Sequence, residues 1–247
     1  MIIDALVTAI INLMLFAIMV AFAKYFQSIR NMNYTPPAWI SVKKDGIKLF
    51  SMGIISALLY KFVVGLIGIL NGTMILTINQ SGITDTLILT LASSFGFLGV
   101  ALFEEGLFRG YMMQVIFRKI HKLLAIVIQA MAFGLIHYTN YDQPHAWVKI
   151  LDVILIGLIF GIIVVKTKSL MFVIGTHLMF DVAGQILFVD NLHEFDRAVY
   201  FQSINNFTPN TIGSLFYIEF IDLFLLSIIA ILLGFLFRKD IFCKTNY

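Results

Sequence analysis

Long apolar runs separated by short polar connections recur along the whole chain. A helix needs ~20 residues to cross the hydrocarbon core, and runs of that order fall near 4–26, 47–70, 84–118, 122–138, 147–165, 169–189 and 212–237. The pattern predicts an all-α, polytopic transmembrane helical bundle of about seven spans, rising to about eight if the third run makes two crossings. That run is too long for one ordinary crossing, since as a single helix it would extend about 50 Å against a core of about 30 Å. It is expected to tilt, or to break around Ser93, Ser94 and Gly96, leaving a helix near 97–118. No polar stretch is long enough for a separate soluble domain, so residues 1–247 read as one integral membrane domain.

Composition agrees: the chain is 60% hydrophobic and 13% charged, with mean hydropathy +0.94, whereas soluble domains carry roughly 25% charged residues. The start, Met1-Ile2-Ile3-Asp4, enters its apolar run without a basic region or cleavage site, which favours a retained span over a cleaved signal peptide. The lone cysteine, Cys243, allows no disulfide framework.

Basic residues set the orientation. Lys24, Arg30, Lys43, Lys44 and Lys48 lie beside the first two runs, Arg118, Lys119 and Lys122 follow the third, Lys166 and Lys168 follow the fifth, and Arg238, Lys239 and Lys244 end the chain. The connections 71–85 and 138–146 hold no Lys or Arg, and 190–211 holds only Arg197 against Asp190, Glu194 and Asp196. By the positive-inside rule the basic connections and the C-terminus are cytoplasmic and the N-terminus is outside. The net charge of +3 reflects this excess, and no basic-aromatic stripe points to nucleic acid. No internal repeat is evident, which counts against a repeat-built transporter.

Against this apolar background Glu104, Glu105 and Arg109 stand out, with His137, His177 and Asp181 downstream. Ionisable residues inside spans are costly unless paired or facing a polar cavity, so the cluster marks a functional site by default. Counting from the basic residues, Glu104 is 14 residues from Arg118, His137 is 15 from Lys122 and His177 is 9 from Lys168. These separations convert to about 21, 22 and 13 Å of helix rise, with Asp181 at about 20 Å. Separate helices therefore deliver polar groups to one layer of the bilayer and predict a polar intramembrane cavity.

Helix periodicity sorts the groups by face. Glu105 and Arg109 are i and i+4 and form a pair, while Glu104 is rotated about 100° away and is left for other work. His177 and Asp181 are likewise i and i+4, and Phe133 stands one turn before His137, ready to pack on its ring. A carboxylate shielded from water suits a general base. Glu104 would deprotonate a water, with His137 and His177 holding that water or donating to the oxyanion. Two His and a Glu also form a zinc-binding set, in which case Glu104, His137 and His177 would be the ligands. The HExxH arrangement is absent, so a metal-free mechanism is favoured and no cofactor is expected, with a divalent metal such as zinc as the alternative.

Glu104-Glu105-Gly106-Leu107-Phe108-Arg109, Phe133-Gly134-Leu135-Ile136-His137 and His177-Leu178-Met179-Phe180-Asp181 resemble, in order and spacing, the EExxxR, FxxxH and HxxxN/D motifs of the CPBP family of CAAX prenyl proteases and bacteriocin-processing enzymes. The motifs lie within a core of about 97–189. The resemblance implies an intramembrane endopeptidase whose first glutamate, Glu104, activates water with His137 and His177 assisting, supported by Glu105, Arg109 and Phe133. Where the family often has Asn it implies an oxyanion donor; here Asp181 stands, and an ionised Asp cannot donate a hydrogen bond. Asp181 would have to be protonated, orient His177 or bind a metal.

The expected partners are the lipid bilayer and a peptide or protein substrate entering between helices, in a bacterial cell membrane. In that setting such proteins are linked with peptide-signal or bacteriocin maturation and self-immunity, and a prenylated substrate is expected only in a eukaryotic host. A non-catalytic immunity or scaffold protein, or less readily a proton-coupled transporter, is the competing reading. Glu105 with Arg109 could serve packing alone, and intramembrane histidines often bond helix to helix. His121, His145 and His193 read as solvated, and Asp152 and Glu219 as near span ends. Asn12, Gln129, Gln185 and Asp222 line a cavity or join helices, and Pro36-Pro37 stiffens a loop. Gly53, Gly65 and Gly68 allow close helix approach, and Gly157-x-x-x-Gly161 is a small-residue contact of the kind that supports a homo-oligomer.

Overall fold

The computed structural model describes residues 7, 10–18, 20–21, 44–78, 83–117, 119–138, 146–189, 199–203, 224–232 and 235–237. The first and last apolar runs are therefore described only in part. Lys24, Arg30, Pro36, Pro37, Lys43, Arg118, His145, His193, Arg197, Glu219, Asp222, Cys243 and the basic C-terminus lie outside the described residues.

The protein is mostly helical. In chain order the elements are α1 (10–18), α2 (Lys44–Leu70), β1 (Met74–Ile78), α3 (Ile83–Glu105), a π-helical segment Gly106–Met112, α4 (Met113–Phe117), α5 (Lys122–Ile136), α6 (Ala146–Thr167), α7 (Met171–Leu187), β2 (Phe188–Val189), β3 (Val199–Ser203) and α8 (224–232). Among the described residues Lys44–Leu70, Thr86–Phe117 and Trp147–Thr167 are long and apolar enough to cross a membrane, while Lys122–Ile136 and Met171–Leu187 are shorter apolar helices. Exposed Leu, Ile, Val and Phe side chains along α2 and α3 mark an integral membrane protein with lipid-facing surface.

The expected break around Ser93, Ser94 and Gly96 does not occur, and α3 runs through all three residues. Both serine hydroxyls have acceptors that leave the helix ladder intact: Ser94 donates back to Thr90 O at 2.7 Å, and Ser93 donates across to Gln185 on α7. The irregularity falls instead at Gly106–Met112, where the helix widens to π geometry immediately after the glutamates. Such wide turns are rare and occur often at functional sites.

The all-α expectation also needs correction, because three short strands form a sheet in the order β1-β3-β2. β1 pairs antiparallel with β3 from Met74↔Ser203 to Ile78↔Val199, and β2 pairs parallel with β3 through Phe188↔Phe201. β1 and β2 follow directly on the apolar helices α2 and α7, so their side chains merge with the neighbouring runs and carry no separate hydropathy signal.

Small residues set the helix contacts, as expected where packing rather than water exclusion drives association. α2 runs parallel to α7: a Cβ on Gly53 would stand 2.1 Å from Phe172 O, and one on Gly175 would stand 2.3 Å from Phe50 O. Further along the same pair, Tyr60 stacks on Phe180 at 5.2 Å. α5 and α6 run antiparallel, with Gly134 against Ile154, Gly157 against Ala130 and Gly161 against Ile126. The Gly157-x-x-x-Gly161 face is thus occupied by α5 of the same chain and is not available for self-association. Gln129, fully buried, locks this pair by donating to Gly157 O at 2.8 Å and Ile126 O at 3.0 Å. His121 caps α5, its Nδ1 accepting from the Leu123 amide at 3.3 Å, which gives it a structural task the solvated reading lacked.

Candidate functional site

Four helical segments meet at one layer. α3 ends on Glu104 and Glu105, the π segment carries Arg109, α5 supplies Phe133 with His137 at its C-cap, and α7 supplies His177 and Asp181. α3 and α7 are antiparallel, with Ser93 beside Gln185 and Glu105 beside His177. That crossing places the glutamates against the middle of α7.

The Glu105–Arg109 pair forms as periodicity predicts, with Nη1 donating to Oε1 at 2.9 Å and both side chains fully buried. Arg109 also lies over the Phe133 ring at 4.0 Å and within 5.4 Å of the Phe160 centroid, a cation–π environment that offsets part of its desolvation. Glu105 has a second partner that sequence reasoning missed: its Oε1 accepts from His177 Nδ1 at 2.8 Å. This carboxylate therefore orients a histidine as well as answering an arginine.

Glu104 is not left alone. Its Oε2 is 3.7 Å from His137 Nε2 and 3.7 Å from His177 Nε2, and among the described residues that oxygen has no direct hydrogen-bond partner. The tautomers follow from the far sides of the rings. His137 Nδ1 lies 2.7 Å from Phe133 O, a group that only accepts, so Nδ1 carries the proton. His177 Nδ1 donates to Glu105 in the same way. Both rings thus present Nε2 to one carboxylate oxygen, and a separation of this size suits a bridging water.

Asp181 Oδ2 lies 3.5 Å from His177 Nε2, as the i, i+4 spacing predicts. Phe133 packs on His137 with centroids 4.7 Å apart, edges onto His177 at 6.3 Å and receives Phe108 at 5.2 Å. One aromatic ring therefore contacts three of the functional side chains.

These groups open into a cavity of about 510 Å³ whose walls include Phe97, Phe160, Asp152 and Gln185. Lys61 and Lys149 also line it, and sequence reasoning passed over both. Lys61 carried a usable signal, being the sole charged residue between Lys48 and Leu70 in an apolar run. Its Nζ lies over Phe180 at 4.7 Å and Phe188 at 5.5 Å, beside Asp181. Gln185 both lines the cavity and accepts from Ser93.

The donor chemistry of Glu104, His137 and His177 is that of a metal set, yet among the described residues no group of three or more His, Cys, Asp or Glu side chains is arranged to hold an ion.

No curated protein and no solved structure matches the chain. Residues 86–183 match the family model for type II CAAX prenyl endopeptidase Rce1-like proteins, a family of proteases, and this segment holds every motif residue described above. Over residues 86–183, less than half of its length, the chain is similar to the Rce1-like type II CAAX prenyl endopeptidases, in agreement with the CPBP resemblance of its motif order.

Proposed function

We propose that the protein is an intramembrane endopeptidase that hydrolyses peptide bonds of peptide or protein substrates with a glutamate-activated water. The observation that carries this reading is the convergence of His137 Nε2 and His177 Nε2 on Glu104 Oε2 at 3.7 Å each. A water in that gap loses a proton to Glu104, and its oxygen adds to the carbonyl carbon of the scissile bond. The imidazoles, with Nδ1–H committed to Phe133 O and Glu105, exchange protons through Nε2 alone. An Nε2 that has taken up a proton donates to the oxyanion. The proton removed from water then passes to the departing amine nitrogen as the C–N bond breaks. Glu105 and Arg109 act behind His177, holding its ring plane and tautomer.

The test is Glu104→Gln in the full-length protein reconstituted in liposomes, with peptide cleavage read by mass spectrometry. Cleavage is expected to fall by at least about 10²-fold, in line with loss of a general base, with the melting midpoint unchanged. Retained cleavage would refute the role of Glu104, and an unaffected cellular phenotype alongside lost cleavage would favour the scaffold reading. The same preparation, assayed for metal content and with chelator present, tests the metal-free mechanism; stoichiometric metal whose removal abolishes cleavage would replace it.

A further inference from the structure

α7 carries His177, Asp181 and Gln185 on successive turns, and all three line the cavity. The first two belong to the constellation around Glu104. Gln185 lies eight residues beyond His177, about 12 Å of helix rise, and has no part in that chemistry.

The Gln185 amide is held from one end. Ser93, 5% exposed, stands on α3 one turn before Phe97, itself on the cavity wall. Its neighbours Thr90 and Ser94 return their hydroxyls to the carbonyl four residues back, whereas Ser93 donates across the α3–α7 contact to Gln185 Oε1. With that oxygen committed, Nε2 projects away from the serine, and among the described residues it meets no acceptor. Gln129 shows the contrast, because its Nε2 is taken up by Gly157 O and Ile126 O. Next to the amide, Gly184 also lines the cavity, and a Cβ added there meets nothing within 4 Å. A fixed pair of N–H donors therefore faces open cavity beside a position kept bare of side chain.

We infer that Gln185 forms a main-chain subsite, its Nε2 donating to a backbone carbonyl of an extended polypeptide about three to four residues from the bond held at His137 and His177. The reach follows from 12 Å of helix rise against about 3.3 Å per residue of extended chain. A neutral donor on a wall shared with Phe97 and Phe180 suits a neutral acceptor, and a polypeptide away from bulk water needs a partner for each carbonyl. That the bound segment is cleaved rests on the peptidase reading; the subsite rests on the amide and the space beside it.

A main-chain subsite reads no side chains, so the probe is a fluorescein-labelled dodecapeptide of alanine and leucine, its binding followed by fluorescence anisotropy in detergent. The full-length Glu104→Gln protein, chosen to hold the peptide without turnover, is compared with the same protein carrying Gln185→Met, Ser93→Ala or Gly184→Leu. Gln185→Met is expected to weaken binding about 2- to 12-fold, the worth of one neutral hydrogen bond. Gly184→Leu is expected to weaken it at least as much, by filling the space while leaving the Ser93 contact in place. Ser93→Ala breaks the same interhelical bond but keeps the donors, and its loss is expected to be smaller. Equal losses in Ser93→Ala and Gln185→Met would overturn the inference, because the helix contact and not the donor would then matter. Binding as tight as the parent's in Gln185→Met or Gly184→Leu would overturn it too, as would failure of the dodecapeptide to bind any of the four proteins. Cleavage of the same peptide by the wild type, read by mass spectrometry, separates the two claims. Gln185-dependent binding without cleavage counts against the peptidase reading and leaves the subsite standing; cleavage with binding indifferent to Gln185 does the reverse.

Discussion

Replacing Arg109 with Met removes a guanidinium that is wholly buried, bonded to Glu105 at 2.9 Å and stacked on Phe133 at 4.0 Å. Methionine keeps the apolar stem but leaves the Glu105 carboxylate, 0% exposed, with the hydrogen bond from His177 in place of an ion pair with the guanidinium. Breaking a buried pair from one side costs about 3–5 kcal/mol, mostly because a charge is left uncompensated. For a chain of this size that corresponds to a fall of about 6–20 °C in melting midpoint. The measurement is thermal unfolding in detergent or lipid nanodiscs of the wild type, Arg109→Met, Glu105→Gln and the double variant, compared at one scan rate because membrane proteins often unfold irreversibly. The double variant is expected to recover much of the loss, since it removes both charges together. If Arg109→Met melts with the wild type, or if the two substitutions add without coupling, the pair is not the buried unit described.

Two further substitutions probe packing and chemistry. Gly53→Val should lower the melting midpoint by an amount equivalent to about 1–3 kcal/mol or more, because its Cβ would overlap Phe172 O at 2.1 Å and force α2 off α7; Gly184→Ala, which meets nothing, is the matched control. Asp181→Asn is expected to keep or raise kcat, since an amide beside His177 Nε2, where Asp181 Oδ2 now lies at 3.5 Å, can donate to an oxyanion and a carboxylate cannot. A loss as deep as that of Glu104→Gln would show instead that the carboxylate itself carries a proton in the reaction.

Helical periodicity and bilayer depth were legible in the sequence because both are local or one-dimensional. The i, i+4 pairs Glu105–Arg109 and His177–Asp181 follow from the rise and turn of a single helix, and both stand where that geometry puts them. The shared layer of Glu104, His137 and His177 followed from counting residues back to the basic ends. Contacts between helices depend on rotation and crossing, which hydropathy does not encode. Only the tertiary structure joined Glu105 to His177, seventy-two positions apart, and aimed both Nε2 atoms at Glu104. Only it turned the Gly157-x-x-x-Gly161 face inward onto α5 and brought Lys61 to the cavity wall. Ser93 and Ser94 looked like a break because serine competes with the helix for hydrogen bonds; their acceptors, Gln185 and Thr90 O, became visible only in the folded chain. The sequence by itself determined which side chains share a depth in the membrane, and tertiary packing decided which of their atoms face one another, because a fixed helical repeat sets position along an axis and leaves rotation about it to the neighbouring helices.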